Sequence, residues 1–161
     1  MLEKLIKYFV YATKGYITKD QLIKFLYLAD LYAVKWTGKQ LTDLDWYFYK
    51  SLPWNDEIET VLNQMNGKEI IQVIQENTIF IKPGVQASDI NDLHLPLSLK
   101  LILDNICREW AGTEPEKLTY LLRYVYNTVP IQEVKNTYKP EKKVKLNLQA
   151  EREKLISELG L

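Results

Sequence analysis

Residues 18–38, TKDQLIKFLYLADLYAVKWTG, hold a complete helix start signal, a complete stop signal and almost no polar face between them. Thr18 is placed to accept from the backbone N–H three residues on, while the Gln21 side chain reaches back to the Thr18 N–H, the reciprocal pattern of a capping box. Ile17 and Leu22 stand at the two positions of a hydrophobic staple across that cap. At the far end Gly38 suits the left-handed position that closes a helix, so a helix is expected over about 18–37. Leu22, Leu26, Ala29, Ala33 and Trp36 form one apolar row, widened by Phe25, Leu28 and Tyr32, and only Lys24, Asp30 and Lys35 interrupt it. A helix apolar on most sides lies among neighbours, and at ~1.5 Å per residue this one spans roughly 28 Å, about the width of a small domain. The remainder of the chain is therefore read as packed around it.

On its N-terminal side, Leu2, Leu5, Ile6, Phe9 and Val10 have helical spacing, and Gly15 closes a short first helix. Beyond Gly38, residues 39–45 form a polar connection to 46–50, WYFYK, an aromatic run of strand propensity that Pro53 is expected to stop. Residues 54–65 then read as a helix capped by Asn55 or Asp56, with Ile58, Val61, Leu62 and Met65 as its buried stripe. The period changes at 69–75, EIIQVIQ, and 78–82, TIFIK, which flank Glu76-Asn77 at hairpin spacing and end at Pro83-Gly84. An isolated hairpin is marginal in water, so WYFYK is its expected third strand.

Residues 85–95 read as irregular, followed by a helix over 96–110 through Leu97, Leu101, Ile102, Ile106 and Trp110. Thr113 is the expected cap of the next helix, which runs to about Asn127 and buries Leu118, Leu121, Leu122, Val125 and Tyr126. From 132 to 145 the chain turns basic, with Lys135, Lys139, Lys142, Lys143 and Lys145, and reads as a linker or arm. Leu148, Leu155, Ile156 and Leu159 restore a helical stripe too short to stand alone. The expected fold class is α+β and predominantly helical: a bundle around the central helix with a small antiparallel sheet of 46–50, 69–75 and 78–82. One globular domain is expected over 1–131, followed by a basic linker and a docking helix over 132–161.

The 161 residues carry 21 basic and 21 acidic side chains, so no overall charge draws the chain towards nucleic acid or an anionic membrane. A single cysteine allows no internal disulfide, which fits a reducing compartment, and the cytoplasm is the expected location. The N-terminal residues mix acidic and basic groups in an amphipathic pattern and read as structure, and no apolar run approaches the roughly 18 residues that span a bilayer.

Chemistry is sparse. His94 is the only histidine, which excludes a multi-histidine metal site and leaves Cys107 with His94 as the sole conventional thiol dyad. Against that dyad stands the simpler reading of a surface histidine and a small apolar filler on a helix. Asp43, Asp45, Asp89 and Asp92 match no calcium or phosphate loop, and no glycine-rich phosphate cradle is present. No enzyme activity and no cofactor are expected. Trp46, Tyr49 and Trp54 are candidate anchors for a protein partner to the extent that strand alternation leaves them exposed. The same rings beside the lysines of 135–145 give nucleic-acid binding as the alternative. Asp30, a carboxylate in the middle of an apolar helix, requires a partner, and Lys24 is off its face, so another element must supply it.

The run Lys24-Phe25-Leu26-Tyr27-Leu28-Ala29-Asp30 resembles the "K-L-L-Y-L-A-D" helix of the Panacea domain, the SocA-like family of antitoxin and phage-associated proteins. That family follows its helix with a short aromatic strand and a Gly-Pro turn, to which 46–50 and Pro53 are similar, with Leu52 in place of the glycine. LLRYVYNTVP, residues 121–130, is similar to the family's late helix and Thr-x-Pro exit, carried here by Thr128 and Pro130. The resemblance spans about residues 5–135. It implies a non-enzymatic domain of bacterial or phage origin that neutralises a cognate toxin by binding it, and it brings no catalytic residue with it.

Overall fold

The capping box starts α2, Lys19–Thr37. Gln21 N–H donates to Thr18 Oγ1 at 3.0 Å and Thr18 N–H donates to Gln21 Oε1 at 3.2 Å, and Gly38 closes the helix at φ 85°. The computed structural model describes residues 1–137, 139 and 141–161. Every residue of α2 from Gln21 to Leu31 is buried, as expected of a helix apolar on most sides. Trp36 departs from the expected row and is 62% exposed, because the last turn of α2 is covered from one side only. Helix α1, Leu2–Ala12, packs along α2 through an edge-on contact of Phe9 with Phe25 at 5.2 Å.

Among the described residues five strands form two separate sheets, and the aromatic strand does not join the expected hairpin. β1 (Tyr47–Tyr49) pairs with β2 (Leu52–Trp54) on one edge and with β5 (Val144–Lys145) on the other. β3 (Ile70–Gln75) and β4 (Thr78–Pro83) form a hairpin by themselves. Two local causes divide the strands this way. Lys50 and Ser51 both take positive φ, 49° and 63°, so the chain reverses in a two-residue turn directly after β1. The outer edge of β4 is meanwhile covered by the lead-in to α2, where Ile81 N–H donates to Ile17 O at 3.0 Å. Pro53 does not end the strand but sits within β2 opposite Phe48. That pair lies one step beyond the hydrogen-bonded residues flanking the turn, so the missing proline N–H faces the open edge, where it costs nothing.

Helix α3, Asp56–Met65, begins as expected, with Asn55 Oδ1 accepting from Glu57 N–H at 2.8 Å. Residues 85–95 include a single 3-10 turn, Ile90–Leu93. In α4, Leu97–Trp110, the buried row is Leu99, Leu103 and Ile106, whereas Leu97 is 72% exposed and Leu101 is also outside. Two residues are about 200° of helix rotation, so the two leucine rows lie on opposite faces and only one can meet the core. Helix α5, Pro115–Tyr126, is capped at Glu114 rather than Thr113. It buries Leu121 and Val125 alone, with Leu122 and Tyr126 exposed, because it offers the core only a narrow seam.

The C-terminal part closes back on the start of the fold. Helix α6 covers Val129–Val134 and α7 covers Gln149–Glu158. Leu146 N–H donates to Trp46 O at 2.8 Å, and Leu146, Leu148 and Ala150 are buried. From α7, Arg152 donates to Lys35 O at 3.0 Å and Gln149 to Gly38 O at 2.9 Å, so α7 docks on the end of α2 within the same chain. Tyr138 and Pro140, within the basic stretch 132–145, lie outside the described residues.

Candidate functional site

Asp30 projects from the middle of α2 into the connection that follows it, and that connection satisfies the carboxylate completely. Leu41 N–H and Thr42 N–H donate to Oδ1 at 2.9 Å each. Oδ2 receives Thr42 Oγ1 at 2.5 Å, Trp46 Nε1 at 2.8 Å and Gln40 Nε2 at 3.1 Å. Burial pushes the Asp30 carboxyl above its usual value, and the Thr42 and Trp46 side-chain bonds foremost pull it back. Five donors converge on the two oxygens and favour the carboxylate form against the burial that opposes it. Its partner is the segment 40–46 itself, and the arrangement fastens the start of β1 to α2.

One turn earlier, the Tyr27 hydroxyl lies 2.8 Å from Thr128 Oγ1, and its ring meets Trp46 edge-on at 5.5 Å. Thr128 spends its only proton on Val125 O at 2.6 Å, so Tyr27 is the donor in the pair. Burial holds the Tyr27 phenol well above its ordinary range. Tyr27, Asp30, Trp46 and Thr128 thus form one buried chain joining α2, β1 and the exit from α5. Leu26, Leu28, Ala29 and Pro130 are buried around it. Tyr27→Phe should lower stability by about 1 kcal/mol, the net worth of one such hydrogen bond, since Thr128 keeps its bond to Val125 O. A urea melt with an unchanged m-value and a lower midpoint is the expected reading.

The three aromatic candidates separate. Trp46 is 1% exposed with its indole N–H committed to Asp30, so it belongs to the core and not to a partner surface. Trp54 and Tyr49 are half-buried at the rim of the β2-β1-β5 sheet. Trp54 Nε1 donates to Asp56 at 2.7 Å, and Lys143 bonds the same carboxylate at 2.5 Å while lying 5.4 Å over the Tyr49 ring. Lys145 pairs with Asp45 at 3.4 Å. The sequence reading missed a second aromatic surface, where α2, α4 and α5 converge. Tyr32 OH donates to Tyr124 OH at 2.9 Å and Trp110 stacks on Tyr124 at 4.7 Å, with Trp36 and Tyr120 exposed one turn along their helices. The i, i+4 spacings Tyr32/Trp36 and Tyr120/Tyr124 are its signal, the first pair lying within a row that reads as core and the second outside the buried row of its helix.

A cleft of about 410 Å³ opens between the start of α2, the β3–β4 turn and α5. Lys24 lines it with only 8% of its surface exposed, and no hydrogen bond or ion pair to it occurs among the described residues. Burial lowers the Lys24 ammonium below its ordinary value, with the Asp20 charge acting in the opposite direction. Lys19, at the same mouth, is ion-paired with Glu59.

Cys107 is half-buried on α4, and burial pushes its thiol up to about 12, while His94 is exposed at the end of the 3-10 turn. Among the described residues no group of three His, Cys, Asp or Glu is placed to hold a metal ion. Among the described residues, too, no helix is long and apolar enough to cross a membrane.

These features define a predominantly helical α+β domain whose polar core groups fasten one buried helix to the segments around it. Residues 22–158 match the family model described as antitoxin SocA-like, Panacea domain, and the chain belongs to that family. The match begins in α2, includes the Asp30 and Tyr27–Thr128 contacts, and extends through α7. Neither the curated proteins nor the solved structures provide a match.

Proposed function

We propose that this chain is an antitoxin-like interaction domain, of bacterial or phage origin and acting in the cytoplasm, that neutralises a cognate toxin by direct binding and performs no catalysis. Membership of the SocA-like antitoxin family over residues 22–158 is the observation that carries this reading. Aromatic side chains of the kind that anchor protein partners support it: the exposed Trp36 and Tyr120 on one face, and the half-buried Tyr49 and Trp54 on another. The buried motif residues then serve as scaffold. Nucleic-acid binding through the basic arm is less favoured, since Lys143 and Lys145 already pair with Asp56 and Asp45.

Co-expression with the protein of the neighbouring open reading frame tests the proposal. The expected result is growth arrest by that protein alone, relief of the arrest by this chain, and co-purification of the two. A neighbouring protein that is harmless alone, or whose toxicity is unaffected by this chain, overturns it.

A further inference from the structure

Lys24 is the buried polar residue of the central helix that has no hydrogen bond or ion pair among the described residues. Asp30, Gln21 and Thr18, the other buried polar residues of α2 and its cap, all hydrogen-bond within the chain. Lys24 is nine-tenths buried as a residue, so its ammonium is partly desolvated without a paired carboxylate, and a complementary charge arriving from outside offsets that cost. No fully buried side-chain nitrogen or oxygen among the described residues lacks a partner, so the Lys24 ammonium must itself open to the cleft.

The remaining lining indicates what would arrive. Asn77, Thr78 and Thr119 present amide and hydroxyl groups, and Ile79, Leu118 and Leu122 present apolar surface. That mixture suits a stretch of polypeptide better than an inorganic anion. A phosphate, with nearly two negative charges, would meet a single free lysine and the Asp20 carboxylate at the same mouth, with no arginine and no glycine-rich loop. A singly charged carboxylate flanked by apolar residues matches Lys24, the one cation of this lining without an ion pair among the described residues, while Asp20 is exposed to solvent at the mouth.

We propose that this cleft receives an aspartate or glutamate side chain of the cognate toxin, ion-paired to Lys24, with a neighbouring apolar side chain seated on Leu118 and Leu122. The inference rests on the antitoxin reading and adds to it the site and chemistry of one contact. Truncating one member of such a desolvated pair weakens binding severely, largely through the charge left unpaired.

Two arms test it. In the first, the folded chain is titrated with a pool of capped pentapeptides bearing central glutamate between leucine, isoleucine or tyrosine, and with a matched pool bearing central glutamine. The methyl resonances of Ile79, Leu118 and Leu122 report binding. Saturable shifts with the glutamate pool, at least tenfold weaker with the glutamine pool and with Lys24→Met, are expected. Lys24→Met keeps the apolar stem and removes the charge, and an undiminished melting temperature verifies that it folds. No saturable shift, or equal shifts with both pools or in both proteins, overturns the proposal.

In the second arm, affinity for the neighbouring-frame protein should fall at least tenfold in Lys24→Met. Unchanged affinity with intact neutralisation overturns the cleft assignment and leaves the antitoxin reading standing. Glutamate-pool binding without neutralisation overturns the antitoxin reading and leaves the carboxylate site standing.

Discussion

Asp30→Asn should destabilise the folded chain by about 3–5 kcal/mol, despite nearly unchanged side-chain volume. The carboxylate accepts five hydrogen bonds and donates none. An asparagine amide must put its NH2 where one oxygen was. On the Oδ1 side it confronts two backbone N–H groups, Leu41 and Thr42, neither of which can turn to accept. On the Oδ2 side it confronts the Trp46 indole N–H and the Gln40 amide, with only the Thr42 hydroxyl free to rotate. Either way buried donors lose their acceptor, and the cost is their desolvation without compensation. Small domains have about 5–15 kcal/mol in total, so the variant should be partly unfolded or nearly so at ambient temperature. Urea denaturation measures it. A loss below about 1 kcal/mol, comparable to that expected of Tyr27→Phe, would mean that Asp30 does not organise the connection to β1.

The difference between those two substitutions also shows what the sequence could and could not disclose. Local signals made α2 legible in full: Thr18, Gln21 and Gly38 act within four residues of themselves, and their geometry is as read. The need of Asp30 for a partner was legible because burial of a charge has a known cost, and so was the fact that Lys24 does not meet it. The donors themselves were not, since a polar connection reads the same whether it is solvated or wrapped around a carboxylate. The grouping of the strands failed for a related reason. Lys50 and Ser51 are unexpected residues for a two-residue turn with positive φ, so the hairpin of β1 with β2 had no Asn-Gly signature, and the partner on the other edge comes from residue 144. In α4 and α5 composition offered more apolar residues than one face can bury. Pattern alone could not choose the Leu99 row over the Leu97 row, and the surplus became exposed surface. The cleft at Lys24 brings together residues 18–24, 77–79 and 118–122, a juxtaposition that only the tertiary fold creates.

The Cys107 thiol should react with iodoacetamide at pH 8 roughly a hundredfold more slowly in the folded chain than in the chain unfolded by urea. Burial first, and the nearby Asp104 charge second, raise the thiol from 9.0 to about 12, which removes about a thousandfold of the thiolate. A more basic thiolate is intrinsically more nucleophilic and recovers roughly tenfold to thirtyfold, while half-burial on α4 restricts access and acts against that recovery. The sign of the linked stability effect is fixed by the same shift. The folded state holds this proton more tightly than the unfolded state, so the stabilisation is complete below pH 9 and is lost as pH rises towards 12. Lysines and tyrosines titrate in the same window, but they are common to the parent and to Cys107→Ala, so the difference between the two melts isolates the thiol. The fall in urea midpoint above pH 9 should be shallower in the variant. Equal alkylation rates in the folded and unfolded chains would place the thiolate within reach at neutral pH and restore a nucleophilic role to Cys107, with His94 as its candidate base. A slow thiol whose rate inflects near pH 12 leaves Cys107 as a residue of α4 that packs against the hydrophobic core and serves as no nucleophile.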